Sequence, residues 1–471
     1  MYVHNAAYNA LVLPELIDEI TLSVPLVIPN PKGLFLFIKY KRNNNKIMEN
    51  LKIASKALHE GHNTETTAAA RAVPIYQTTS YVFKDTDHAA DLFALKEPGY
   101  IYTRLNNPTN DILEQRLAAV EGGIGAAVFD SGASAISTTF LTLLKAGDHI
   151  VSSSSLYGGT YNLLNVTLPR LGIETTFVNP DNVNDFQAAI KENTKAIFVE
   201  SLGNPKLDVL DLEEISKIAR ANKIPLIVDN TVASPSLLNP IKYGANIVIH
   251  SLTKYIGGHG TSLGGAVIDA GTFDWKSGKF SEFTEPSKGY HGLVYSEALG
   301  EAAFIAKLRI EGLRDFGGAL SPYNTFQIIQ GLETLDVRIK RQSESALALA
   351  QWLASKTEIV WVNYPGLPSS RYKSLAQKYL PKGQSGIITF GLKGGFESAK
   401  RFTDATKLFS LLANIGDTKS LIIHPASTTH QQLTESEQHE TGVSPDLIRL
   451  SVGLEAVDDL KKDIEQALSK L

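Results

Sequence analysis

The sequence predicts an α/β protein: a mainly parallel sheet wrapped by helices, followed by a smaller α+β unit towards the C-terminus. Three observations point there. Short apolar runs alternate with helical stretches from about Asp111 to His250. Those runs are rich in β-branched residues and apolar on both faces, as strands covered by helices on each side must be. Beyond about Glu358 the alternation gives way to a few strands mixed with helices, which suits a small second unit.

Residues 1 to 47 differ from the rest. They hold two apolar pieces, Leu22 to Ile28 and Gly33 to Ile38, then a basic-polar run from Lys39 to Lys46. A signal peptide has its basic region before its apolar core, and here the order is reversed. Met48, one of only two methionines, stands where an ordinary sequence begins. Residues 1 to 47 therefore read as an over-extended start or a poorly ordered arm. Residues 48 to 113 form a mixed N-terminal segment without a long periodic element. It contains Tyr102-Thr103-Arg104 and Asn107-Pro108-Thr109, which are turn-like.

The regular part starts with a helix at Asp111 to Glu121. Strands follow at Ala126 to Phe129, His149 to Ser152, Glu174 to Val178, Ala196 to Glu200, Pro225 to Asp229 and Asn246 to His250. Helices between them are expected at Ile136 to Leu144, Tyr161 to Arg170, Val183 to Glu192 and Leu212 to Ala221. A second apolar run, Leu263 to Ile268, lies past a glycine-rich loop. An aromatic stretch, residues 271 to 297, precedes long helical segments at Ala298 to Leu313 and Pro322 to Trp352. The last part has strands at Ile359 to Val362, Gly386 to Gly391, Leu421 to His424 and Leu447 to Val452, and a helix at Ala456 to Leu468. We expect a large domain over 114 to 320 and connecting helices plus the small domain over 321 to 471.

Composition narrows the function. The chain has 471 residues and a net charge of −4, with both signs interspersed, so no basic nucleic-acid footprint is present. It has no cysteine, which excludes disulfides, zinc-thiolate sites and a cysteine nucleophile. That fits a cytosolic protein. No apolar run reaches the length of a membrane span. HExxH is absent; His59 and His62 are three apart without a third ligand nearby, and read as surface.

In open parallel sheets, ligands gather outside the carboxyl ends of the strands. The residues past those ends here are polar: Ser131, Ser153, Tyr157, Glu200, Asn204, Asp229, Ser251 and Lys254. Lys254 follows a buried strand, between hydroxyls and glycines. Such a lysine can cradle a phosphate, form a Schiff base when burial lowers its pKa, or simply be a surface lysine. The phosphate-loop pattern is not met, because the glycines follow Lys254. Ser131-Gly132-Ala133 opens a helix and offers free N–H groups and a favourable dipole for a phosphate. Asp229 ends an apolar strand, where a buried carboxylate needs a partner such as a pyridinium. Taken singly, Asp229 could instead cap a helix, Tyr157 could be a core aromatic, and Arg449 a surface ion-pair partner.

Together these segments match a family. From about Leu51 onward the chain resembles the cysteine/methionine-metabolism enzymes that depend on pyridoxal 5′-phosphate (PLP). These have the aspartate-aminotransferase fold, PLP-dependent transferase fold type I. The strongest likeness is to the O-acetylhomoserine sulfhydrylases. It is carried by Tyr102-Thr103-Arg104 with Asn107-Pro108-Thr109, Ser131-Gly132-Ala133, Tyr157-Gly158-Gly159-Thr160, Asn204-Pro205, Val228-Asp229-Asn230-Thr231, Ser251-Leu252-Thr253-Lys254, and Arg449-Leu450-Ser451-Val452-Gly453-Leu454-Glu455.

The resemblance implies pyridoxal 5′-phosphate as cofactor, held by Lys254, which would also shuttle protons. Asp229 would keep the pyridine nitrogen protonated, and Tyr157 would stack on the ring. The N–H groups of Gly132 and Ala133, with Ser251 and Thr253, would bind the phosphate. Tyr102 and Arg104 would reach that phosphate from a neighbouring subunit. This implies a homo-oligomer: dimers with shared sites, assembled into tetramers. Arg449 would pair with the substrate carboxylate, Asn204 would contact ring oxygen or carboxylate, and Asn414 would lie on the substrate side. No metal is implied.

Three features resemble sulfhydrylases more than lyases: Gly159, the aromatic insertion from Phe273 to Gly292, and the run Ala413 to Leu421 through Thr428-Thr429-His430. The implied reaction joins O-acetyl-L-homoserine and sulfide to give homocysteine and acetate. A cystathionine γ-synthase or a γ-lyase is the alternative. Specificity is expected at Gly159, around Tyr290 and at Asn414.

Overall fold

The computed structural model describes residues 51–62, 68–431, 434, 436, 438 and 441–471. The expectations for residues 1 to 47 and Met48 lie outside them. Two sheets organise the chain. The larger has seven strands: β1 (Gly125–Phe129), β2 (His149–Ser153), β3 (Glu174–Val178), β4 (Thr194–Glu200), β5 (Leu226–Asp229), β6 (Ile247–Ser251) and β7 (Gly265–Asp269). Their spatial order is β1-β7-β6-β5-β4-β2-β3. Every pairing is parallel except those of β7, which runs antiparallel to both β1 and β6.

Alternation along the strands explains why this sheet is covered on both sides. Val199, Val228 and Val248 pack into one apolar layer with helix residues such as Leu113, Leu117 and Ile215. Phe198, Ile227 and Ile249 face the opposite layer with Phe140, Trp275 and Phe304. The inner strands therefore need apolar residues at successive positions, which is the pattern read from the sequence, while the edge strand β3 is only partly buried. The apolar run Leu263 to Ile268 becomes β7 only from Gly265, and Leu263 is exposed. β7 reverses because a glycine-rich loop, with no crossover helix, joins it to β6. A Cβ at Gly265 would lie 2.0 Å from the Ser131 carbonyl oxygen, so only glycine lets β7 pass the start of the next helix.

The expected helices occur with shifted ends. Asp111 to Glu121 begins earlier, at Pro108, behind an Asn107 cap whose side chain accepts from Thr109 N–H. Ile136 to Leu144 is the end of a longer helix, Gly132–Leu143, capped by Ser131. Tyr161 to Arg170 is not one α-helix. It runs as α over Gly158–Asn162, as a π-turn over Leu163–Thr167 and as 3-10 over Leu168–Leu171. Pro169 lacks the N–H that would continue the α pattern. Val183 to Glu192 stops at Ala188. Ala298 to Leu313 is likewise broken, with a π-turn over Leu308–Leu313.

The smaller sheet has β8 (Ile359–Asn363), β9 (Ile387–Leu392), β10 (Ser410–Leu411), β11 (Leu421–Ile423) and β12 (Leu447–Ser451) in the order β10-β11-β12-β9-β8. Its core joins Ile388, Phe390, Ile448 and Leu450 to Phe402 and Leu460 of the helices Gly395–Ala405 and Val457–Leu468. No helix among the described residues is long and apolar enough to cross a membrane.

Candidate active site

Parallel strands deliver their carboxyl ends to one edge of the large sheet. There Ser131, Glu200, Asp229 and Ser251, each at or just past a strand end, line a cavity of about 800 Å³. Of the twelve residues expected at the site, ten line it: Gly132, Ala133, Tyr157, Asn204, Asp229, Ser251, Thr253, Lys254, Asn414 and Arg449. Tyr102 and Arg104 do not. Their loop lies elsewhere, with Arg104 Nη1 donating to the Arg314 carbonyl and its guanidinium 5.6 Å from the Tyr102 ring centre.

Lys254 sits one turn past β6. Its Nζ donates to Asn414 Oδ1 at 2.6 Å. Burial, reinforced by the Arg449 charge, brings its pKa down to about 8. The loop after it is gripped from below by Arg338, which donates to the carbonyls of Tyr255 (2.8 Å), Ile256 (3.1 Å) and Gly331 (2.7 Å).

Asp229 faces the cavity from β5. Its Oδ1 accepts the Thr231 N–H at 2.9 Å. No cation among the described residues pairs with it. Burial pushes its pKa up, and the Thr231 hydrogen bonds hold it back. Beside it in register stands Glu200, whose Oε1 accepts the Tyr157 N–H at 2.6 Å. Burial first and the Asp229 charge second push the Glu200 pKa well up.

The helix Gly132–Leu143 points its first turn into the cavity. The Ser131 hydroxyl takes the Ser134 N–H, while the N–H groups of Gly132 and Ala133 have no acceptor within the helix. A Cβ at Gly132 would come within 2.7 Å of Ser251 Cβ, so glycine keeps this corner open. Thr253 also lines the corner, its hydroxyl accepting from Gly264 N–H at 3.0 Å.

Arg449 enters from β12 of the small sheet. Its Nη1 donates to Asn204 Oδ1 and its Nη2 to the Asn414 carbonyl, both at 3.1 Å. Its remaining N–H groups are free to form a two-point fork with a carboxylate. Burial brings its pKa down to about 10, which still leaves it charged at neutral pH.

Gly159 lines the cavity, but a Cβ there would fall 2.6 Å from Cε1 of Tyr157. The room at this position is taken by the tyrosine ring. Tyr290, like Tyr102 and Arg104, lies outside the cavity wall of its own chain. Its hydroxyl donates to the Ile310 carbonyl at 2.9 Å and accepts from Arg314 Nη1 at 2.7 Å. The insertion around it packs on the sheet, with Trp275 stacked on Phe283 at 4.2 Å. Sequence reasoning gave Glu200 and Thr231 no role. The signal for Glu200 was position alone, at the end of an apolar strand; Thr231 stood in the segment Val228-Asp229-Asn230-Thr231.

Known proteins agree with this arrangement. The family model for Cys/Met metabolism PLP-dependent enzymes matches residues 54–469. An O-acetyl-L-homoserine sulfhydrylase of Leptospira meyeri is 54% identical over 90% of this chain and 98% of its own length. A homocysteine synthase of Schizosaccharomyces pombe is 52% identical over 87% of this chain and 96% of its own. Among solved structures, a putative O-acetylhomoserine (thiol)-lyase of Campylobacter jejuni superposes with a TM-score of 0.87 at 44% identity. The match covers 89% of this chain and all of that one, and that structure carries a pyridoxyl-lysine phosphate. With the matched span covering nearly all the described residues, this chain belongs to the Cys/Met metabolism PLP-dependent enzyme family.

Proposed function

We propose that the enzyme replaces the acetoxy group of O-acetyl-L-homoserine with sulfide, giving L-homocysteine and acetate in methionine biosynthesis. The observation that carries this reading is the high identity to sulfhydrylases over the whole catalytic span, in a chain whose cavity joins Lys254, Asp229 and Arg449. The cavity also fits the cofactor. Asp229 is a desolvated carboxylate with no cation paired to it among the described residues, Gly132 keeps an anion-ready corner open, and Lys254 is a partly buried amine of lowered pKa.

Pyridoxal phosphate, when bound, supplies the electron sink that makes protons at Cα and Cβ removable. The chain's residues do the rest. Gly132 and Ala133 N–H groups, with Ser251 and Thr253, hold the phosphate. Asp229 would keep a proton on the ring nitrogen, and Tyr157 would stack on the ring. Lys254 Nζ would hold the cofactor and would take up and return the protons at Cα and Cβ. Asn414 Oδ1 aims that amine. Arg449, steadied by Asn204, fixes the substrate carboxylate. Acetate leaves from Cγ with the C–O bonding pair, sulfide forms the Cγ–S bond, and the two protons return.

The reading includes a cytoplasmic homo-oligomer of site-sharing dimers paired as tetramers. Tyr102 and Arg104 support the sharing, because they lie outside their own chain's cavity. One assay tests the reaction: purified enzyme with O-acetylhomoserine plus sulfide, against O-succinylhomoserine plus cysteine. Homocysteine from the first pair is expected. Cystathionine from the second, with little product from the first, would make it a cystathionine γ-synthase.

A further inference from the structure

Two walls of the cavity come from different parts of the chain, and one carboxyl touches both. Glu200 ends β4, is only 6% exposed, and lines the cavity beside Asp229. Its Oε1 accepts the Tyr157 N–H at 2.6 Å, and the Asn204 N–H lies close enough to its carboxyl to draw its pKa back down. Tyr157 stands at the head of the short helix Gly158–Asn162, which has no side-chain cap of its own. Glu200 therefore supplies the missing acceptor from another strand. Asn204 in turn accepts from Arg449 Nη1 at 3.1 Å. A line of polar neighbours thus runs from the Tyr157 loop through Glu200 and Asn204 to Arg449, hydrogen-bonded at its two ends.

We propose that Glu200 is a positioning residue that sets the spacing between the Tyr157 wall and the Asn204–Arg449 wall. It rests on the cofactor class given above and is independent of which nucleophile reacts. The length of the side chain is what the geometry demands. Aspartate, shorter by one C–C bond of about 1.5 Å, cannot keep the contact to the Tyr157 N–H from the same backbone position. The charge is not what it demands. A second ionised carboxylate beside Asp229 would be repelled, and burial and Asp229 both favour the protonated form. A neutral group of the same length that still turns an oxygen to the Tyr157 N–H should serve, and glutamine, through its carbonyl oxygen, is one.

The test compares Glu200→Gln, Glu200→Asp and Glu200→Ala. Three quantities are read: the Kd for pyridoxal phosphate added to apoenzyme, the KM for the amino-acid substrate, and kcat. The first needs no substrate, so it stands even if the proposed reaction is wrong. Glu200→Gln should keep Kd and KM to within about threefold. Glu200→Asp and Glu200→Ala should each raise both by roughly tenfold, the scale of a lost buried hydrogen bond, with kcat changed less. Thermal unfolding identifies any variant that fails to fold; if Glu200→Ala fails, Glu200→Asp decides. Glutamine as damaging as aspartate would overturn the proposal, because side-chain length with one accepting oxygen would then not be what holds the walls. So would aspartate as good as wild type. A fall in kcat with unchanged Kd and KM would overturn it in favour of proton transfer by Glu200.

Discussion

Lys254 shows how burial prepares a nucleophile. An exposed lysine amine is almost wholly protonated at neutral pH, with a pKa near 10.5. Desolvation and the Arg449 charge lower that of Lys254 to about 8. The sign follows directly: only the free base adds to an aldehyde, and its fraction rises with pH. Reconstitution of apoenzyme with pyridoxal phosphate should therefore quicken as pH rises and level off above an inflection near 8. Arg449→Gln removes a positive neighbour and should move that inflection upward. Stopped-flow absorbance over pH 6 to 10 reads both. An unmoved inflection in the variant would contradict the electrostatic assignment.

At the scale of elements, the site exists because parallel strands end together. Their ends carry the acids and hydroxyls, and the first turn of Gly132–Leu143 supplies unpaired N–H groups. Gly132→Ala tests that corner. Its Cβ would press on Ser251 at 2.7 Å, so the helix start or the Ser251 strand end must shift. The variant should lose cofactor affinity by roughly tenfold or more while keeping the sheet intact, since the disturbance is confined to the corner. Equilibrium titration of apoenzyme, with circular dichroism as control, measures this. Wild-type affinity would show that the corner does not hold the phosphate.

This scale also shows what the sequence could disclose. The strands of the large sheet were legible because burial on both faces demands successive apolar residues. Lys254, Asp229 and Arg449 were legible from motifs. The pitch change over Leu163–Leu171 was not, because it depends on how Pro169 and Gly172 meet a packed sheet. The reversal of β7 was not, because an apolar run carries no direction. The two-residue strand β10 is exposed, so it leaves no apolar signature. Glu200 was visible only as a strand-end acid. Its hydrogen bond comes from Tyr157, over forty positions away, and folding alone joins the two.

At the scale of the whole molecule, the placing of Tyr102 and Arg104 matters most. Both are on a loop outside the Lys254 cavity of their own chain, and Tyr102 is 43% exposed. If a second copy uses them, two defective proteins can complement. Arg104→Ala and Lys254→Ala are each expected to be inactive. Mixed under subunit exchange, they should recover part of wild-type activity, because one site of a mixed dimer keeps both residues. No recovery despite proven exchange would mean that each site is built from one chain. A chain beginning at Met48 should fold and turn over normally, as judged by unfolding temperature and specific activity.

Replacement against elimination is the central claim, and product partition tests it most directly. The two outcomes use the same cofactor residues and diverge only after acetate has left. With O-acetylhomoserine and sulfide, homocysteine should form well ahead of 2-oxobutanoate, and methionine or cystathionine alone should release keto acid slowly. Both products can be followed in one reaction by chromatography. Rapid 2-oxobutanoate formation from methionine or cystathionine, with little homocysteine from the acetyl ester, would contradict the account and make the enzyme a γ-lyase.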